Sequence, residues 1–335
     1  MSFIPLVSVI IPNYNHAPYL KQRIDTVLAQ TYQDFEVVIL DDCSRDNSRE
    51  IIKEYQNDPR VRVAFNESNS GCVFKQWNKG LKMAGGKYVW IAESDDYSAP
   101  AFLETMVACL EADTKVGMAF CDSFRVCDGD VSAARTRWFG EFARFYEQDF
   151  KADGKDYVAR QMLFQNTIPN TSSVVFRRSV ADEAGPADES FLLSGDWLFW
   201  INLLSRSNLA YVATPLNYYR YHQQTARHAH ASNGVMIEEA CRISLFVLKN
   251  FPVSPTDAKK ITGRLTGWFV ETMISGRATI PPVRQRNIHR LACELNPNSL
   301  LQLWFRRTGL QWLWLGCRRR AQSLWKKVSP TQTSG

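Results

Sequence analysis

The sequence predicts an α/β fold, a mostly parallel sheet with helices on both faces, continued by a helical extension. Three observations carry that expectation. Short apolar runs alternate with amphipathic stretches over the first 120 residues, which is the pattern of strand and helix in turn. The runs are apolar throughout rather than every second residue, as strands covered on both faces must be. Beyond about Thr225 the spacing of apolar residues becomes helical.

Val7–Ile11 (VSVII) reads as the first strand and ends at Pro12. A helix is expected from about Pro18 to Gln30, with Leu20, Ile24, Val27 and Leu28 on one stripe. Phe35–Leu40 is a second strand, and Asp46 or Asn47 can cap the helix that runs towards Tyr55. Val61–Phe65 is a third strand, Val73–Ala84 a helix, and Gly85-Gly86 its stop. Tyr88–Ala92, Pro100–Leu110 and Val116–Cys121 then read as strand, helix and strand. The stretch from Asp122 to Asn170, rich in Arg and Phe, has no clear period. Ser172–Phe176 returns as a strand, Asp196–Leu204 is an apolar helix, and Tyr211–Ala213 and Tyr218–Tyr221 are short strands. Helices follow near Val235–Asn250 and Pro255–Ile274.

Parallel sheets bind ligands beyond the carboxyl ends of their strands. The residues there are Asn13-Tyr14-Asn15, Asp41-Asp42, Asn66 and Glu93-Ser94-Asp95-Asp96. Polar and acidic groups therefore gather on one edge. Adjacent carboxylates repel unless a cation neutralises them, and hard oxygen ligands suit Mg²⁺ or Mn²⁺ bridging a substrate's phosphates. Each acidic pair alone also fits a solvated turn or an Asx cap. Two pairs on one edge favour a site, one holding a metal and the other accepting hydrogen bonds from a base or ribose.

The run VSVIIPNYNHAPYLKQRIDTVLAQTYQDFEVVILDDCSRDNS resembles the opening of the family 2 glycosyltransferases, which have the GT-A fold. GKYVWIAESDDY is similar to the family's later acidic motif, with ESDD where D-[AS]-D-D is usual. The resemblance covers about the first 225 residues. It implies a catalytic domain over 1–225, with a nucleotide-sugar half (1–120) and an acceptor half (121–225), and a helical extension over 226–335. By position it implies that Pro12 and Tyr14 lie against the donor's base and that Asp42, with Asp41 beside it, reads that base. It places Asp95 near the ribose and Asp96 on the metal, with Glu93 supporting. SGDW resembles the family's Glu-Asp motif, in which Asp196 is the base and Gly195 stands where a Glu is usual. A cap at the start of the apolar helix is the plainer role for Asp196. YYRYH resembles the late Arg-x-His element, so His222 is expected on the metal or a phosphate and Arg220 against the diphosphate. His16, His228, His230 and His289 receive no role.

Family members invert the anomeric centre, which implies one displacement: Asp196 deprotonates the acceptor hydroxyl and a divalent cation, Mn²⁺ or Mg²⁺, stabilises the leaving diphosphate. The donor is expected to be a UDP or dTDP sugar, and the acceptor a saccharide or a lipid-linked one used in cell-surface polysaccharide synthesis.

The formal charge of +6 is concentrated at the end. After Glu294 there is no acidic residue, while Arg306, Arg307, Arg318, Arg319, Arg320, Lys326 and Lys327 stand among Trp304, Trp312, Trp314 and Trp325. Such a segment suits an anionic membrane surface, or a terminal helix whose tryptophans complete the core. Eight scattered cysteines without CxxC spacing suit a reducing compartment. No apolar run reaches the roughly 18–20 residues of a membrane span, and the start does not read as a signal peptide. The expectation is a cytoplasmic protein, peripheral on the inner membrane face, that binds no nucleic acid. A sugar nucleotidyltransferase would want a Gly- and Arg/Lys-rich phosphate loop after the first strand, which PNYN does not supply. A non-enzymatic basic adaptor would leave the acidic edge unexplained, since that edge repels phosphates without a metal.

Overall fold

The computed structural model describes residues 5–127, 130–135, 143–168, 170–222, 233–274, 280–299 and 301. The elements of the first part are β1 Val7–Asn13, α1 Ala17–Leu28, β2 Phe35–Asp41, α2 Ser48–Glu54, β3 Val61–Phe65, α3 Val73–Met83, β4 Tyr88–Ile91, β5 Tyr97–Ser98, α4 Phe102–Glu111 and β6 Val116–Cys127. There follow β7 Asp130–Arg135, β8 Phe150–Ala152, α5 Gly154–Tyr157 running into a π-helical turn Val158–Met162, β9 Val174–Arg177, α6 Arg178–Ala184, α7 Gly195–Leu204 and β10 Asn208–Tyr221. The last helices are α8 Val235–Asn250, α9 Pro255–Ile274 and α10 Pro282–Leu295.

One sheet has the order β3-β2-β1-β4-β9-β6-β10-β5, with β7 on β6 and β8 on β10. β1, β2, β3 and β4 pair in parallel, and β6 pairs in parallel with β10. β9 lies antiparallel to both β4 and β6. The sheet is thus mixed, yet β1, β2, β4, β6 and β10 all point their carboxyl ends to one edge. Reversed β9 brings its amino end, with the turn Thr171–Ser173, to that same edge.

Every residue of β1 is buried, because helices cover the sheet. α1 turns Leu20, Ile24 and Val27 inward, and Arg23 sits on the same buried face. The two short strands expected after Tyr211 are one long strand, β10, whose pairing slips on either side of Pro215. Proline has no N–H to give the ladder, so the irregularity falls there.

The chain divides into two compact units, Met1–His228 with Val247–Ser254, and Ala229–Phe246 with Pro255–Gly335. Within the second, Ile261, Leu265 and Phe269 of α9 and Ile288 and Leu291 of α10 are buried. Arg284 Nε holds Glu238 Oε2 at 2.8 Å there. Among the described residues no helix is long and apolar enough to cross a membrane. The tryptophan- and arginine-rich segment after Glu294 lies outside the described residues from 302 onward, as do His228 and His230.

Candidate active site

The edge is built first by β1 and β2. Asn13 donates from Nδ2 to Asp41 Oδ1 at 3.0 Å and to Ser44 Oγ at 3.1 Å. Asn15 and Cys43 take positive φ, 55° and 62°, so both loops turn sharply where they leave their strands. Pro12 is buried at the strand end, and Tyr14 stands 41% exposed beside it. Tyr14, expected against the donor's base, is thus accessible at this edge.

Asp41 and Asp42 are both buried and hydrogen-bonded within the chain. Asp41 is fully buried and accepts from Asn13, from Ser44 N at 3.1 Å and from Arg49 Nε at 2.9 Å. Asp42 is 4% exposed. It accepts from Asn66 Nδ2, Asn69 Nδ2, Ser70 N, Ser70 Oγ and Gln76 Nε2 at 2.6–3.2 Å. A carboxylate has about four lone-pair sites, so these donors occupy Asp42 heavily and tie it to the 66–72 loop.

The second wall is Glu93–Asp96 after β4. Glu93 takes a hydrogen bond from Trp77 Nε1 at 3.0 Å, and its carbonyl accepts from Arg23 Nε at 2.8 Å. Burial, helped by the charges of Asp95 and Asp96, pushes Glu93 up to about 8. Arg23 is fully buried beneath this loop. Its two Nη atoms meet no acceptor among the described residues. Burial lowers it to about 10, so it remains the fixed cation under three acids.

Asp95 and Asp96 have different surroundings. Asp96 is 1% exposed and accepts from Asn170 Nδ2 at 2.8 Å, Ser172 Oγ at 2.7 Å and Arg220 N at 2.9 Å. Burial and the neighbouring Asp95 raise its pKa. Asp96, the acid expected on the metal, ties the turn after β4 to the amino end of β9 and to β10. Asp95 faces the site, with its Oδ2 3.1 Å from His222 Nε2. Burial would raise Asp95, but the bond from His222 and the charges of His16 and His222 outweigh it and hold it low.

His16, given no role above, joins them. Its Nδ1 meets Ser94 Oγ at 2.8 Å, and burial lowers its pKa against the pull of Asp95. Ligand atoms of His16, Asp95 and His222 all lie within 4.8 Å of one another. His222 Nδ1 is buried without a partner among the described residues. Two imidazoles and one carboxylate fit a divalent transition-metal cation better than Mg²⁺, which prefers oxygen ligands throughout. Only the position of His16, directly after PNYN, could have signalled it. Arg220, expected against the diphosphate, makes several contacts within the chain. Its guanidinium lies 4.8 Å from the Tyr19 ring and 5.0 Å from the Tyr97 ring, and it donates to Asp95 O and Gln22 Oε1.

Asp196 lies in the first turn of α7, where Ser194, not Asp196, is the cap residue. Its Oδ2 accepts from Asn166 Nδ2 at 3.0 Å. A Cβ added at Gly195 would come within 2.6 Å of the Phe74 ring, so a larger residue there would have to displace that ring.

The model of the family described as Glycosyl transferase family 2 matches residues 8–183, more than half of the chain. TuaG of Bacillus subtilis, a glycosyltransferase provisionally named for teichuronic acid biosynthesis, is 43% identical over 28% of this chain and 36% of its own length. Among solved structures, residues 1–349 of TarS from S. aureus, in complex with UDP-GlcNAc, align with a TM-score of 0.63 at 17% identity, covering 90% of this chain and 92% of that one. A mannosyltransferase from Pyrobaculum calidifontis, in complex with GDP-Man and Mn²⁺, aligns with a TM-score of 0.54 at 16% identity, over 96% of this chain and 88% of that one. At those identities the two structures establish the fold alone.

Proposed function

The chain belongs to glycosyl transferase family 2 and is a glycosyltransferase of the GT-A fold; we propose that it moves a sugar from a UDP- or dTDP-linked donor to a saccharide or lipid-linked acceptor, inverting the anomeric carbon. The observation that carries this reading is the convergence of His16, Asp95 and His222 at the carboxyl edge of the sheet. The complexes of UDP-GlcNAc with TarS, and of GDP-Man and Mn²⁺ with the mannosyltransferase, support a nucleoside-diphosphate donor and a metal here. TuaG's name supports a product in surface polysaccharide synthesis.

Each residue then has a task. Tyr14 and Pro12 receive the base, and Asp41 and Asp42 hold the two loops that frame it. Asp95, His16 and His222 hold the cation, and Arg23, Asp96 and Arg220 keep the Glu93–Asp96 loop in place. A divalent cation there supplies Lewis-acid stabilisation of the departing diphosphate. Asp196 takes the proton of the acceptor hydroxyl as it attacks. For the membrane reading, the seven cations and four tryptophans after Glu294 give the support, with the inner membrane face as the place of work.

The test is a panel of nucleoside-diphosphate sugars with saccharide acceptors, scored by release of nucleoside diphosphate with Mn²⁺ and with EDTA. Mn²⁺-dependent release from at least one UDP or dTDP sugar is expected. Folded protein that turns over none of them would remove the donor class, and full activity in EDTA would remove the metal.

A further inference from the structure

We propose that Asn166 is the positioning residue for Asp196, supplying the support that Gly195 withholds; this rests on the reading of Asp196 as the base. Asn166 stands on the turn that follows the π-helical segment Val158–Met162. Its Oδ1 accepts from Ile168 N at 3.0 Å. That bond fixes which end of the amide is oxygen, so Nδ2 is the atom that faces Asp196 Oδ2, at 3.0 Å.

The turn itself is pinned on both sides. Trp197, the neighbour of Asp196 on α7, donates from Nε1 to Met162 O at 3.0 Å. Beyond Asn166, Thr167 is fully buried, with its Oγ1 2.8 Å from the hydroxyl of buried Tyr157. The Tyr157 hydroxyl is in turn 2.6 Å from that of Tyr146. Asn166 is thus a rigid donor, set by a buried network and aimed at a carboxylate on a different element.

A neighbouring carboxylate at position 195 is absent, and one placed there would crowd Phe74, whose ring carbons would lie 2.6 Å from its Cβ. An amide fits the same need by other means. It holds one oxygen of Asp196 in a fixed direction, does not titrate, and leaves the carboxylate anionic and able to take a proton. Positioned bases gain from such support because a small misplacement costs rate rather than binding.

The test uses the full chain with a donor and acceptor that it turns over. Asn166→Asp keeps the acceptor for Ile168 N and loses the donor to Asp196. It is expected to lower kcat by roughly tenfold or more, the effect of losing a hydrogen bond to a charged group, with donor KM unchanged. Asn166→Ala should behave alike and should cost nothing further in an Asp196→Asn background, since a residue acting through Asp196 has nothing left to position. Wild-type kcat in Asn166→Asp, beside a strong loss in Asp196→Asn, overturns the inference alone. An equal loss from Asn166→Ala in both backgrounds also overturns it and makes Asn166 a folding residue. Wild-type turnover by Asp196→Asn removes the base reading and this inference together.

Discussion

Asp95 Oδ2 lies 3.1 Å from His222 Nε2, joining the turn after β4 to the end of β10. The next residue, Asp96, faces the other way, into Asn170, Ser172 and the backbone of Arg220. Two adjacent aspartates therefore do unlike work: one presents its carboxylate to the site, and the other locks three elements together.

That division predicts a split in behaviour. Asp96→Ala leaves three buried donors without an acceptor and should lower the unfolding free energy by about 3 kcal/mol or more. Asp95→Ala should cost about 1 kcal/mol or less yet abolish Mn²⁺-dependent donor binding. Urea denaturation beside donor titration checks both; equal stability losses would contradict the division.

Asp42→Ala should loosen the 66–72 loop, because five donor groups lose one acceptor. Donor KM should rise several-fold, and limited proteolysis should cut within 66–72 much faster than in the wild type. An unchanged cleavage rate would show that the loop stands without Asp42.

Glu93 sets a pH dependence. Its folded value of about 8 lies above its ordinary 4.5, so between those values the folded state binds more protons than the unfolded state. Stability from this group is then present at low pH and lost as pH rises through 8. Glu93→Gln keeps the oxygen that accepts from Trp77 and has no charge to bury. In EDTA, its thermal midpoint should therefore fall less than the wild type's between about pH 6 and about pH 9, limits that bracket the folded value of about 8. Parallel curves for the two proteins would contradict the buried charge.

Gly195→Ala should destabilise the fold by about 1–3 kcal/mol through overpacking against Phe74. Phe74→Leu in the same chain should recover part of that loss. The reading fails if Gly195→Ala unfolds at the wild-type urea concentration.

Much of the fold was legible because local patterns decide it. VSVII, FEVVIL and YVWIA are strands by composition alone, and the loops after them had to hold the polar edge. The 122–170 stretch was not legible, since β7, though it folds back on adjacent β6, has no run of large apolar residues in its sequence DVSAAR, and β8 exists through pairing with distant β10. The reversed β9 was hidden for the same reason, and with it Asn170 and Ser172. In the site, residue types at strand ends were visible, but which oxygen each carboxylate spends internally was not. Nothing in the sequence signalled the internal hydrogen bonds that Asp42, Asp96 and Arg220 make. His16 read as a bystander until it met Asp95.

The most direct measurement of the account is Mn²⁺ binding to the full chain with UDP present, followed by electron paramagnetic resonance. Wild-type protein should bind one Mn²⁺ with its signal broadened by nitrogen ligands. Asp95→Ala should lose that binding, and His16→Ala and His222→Ala should each weaken it about tenfold or more, within the usual loss for one ligand or its support. Undiminished Mn²⁺ binding in Asp95→Ala and His222→Ala would contradict the placement of the metal, and with it the proposed mechanism.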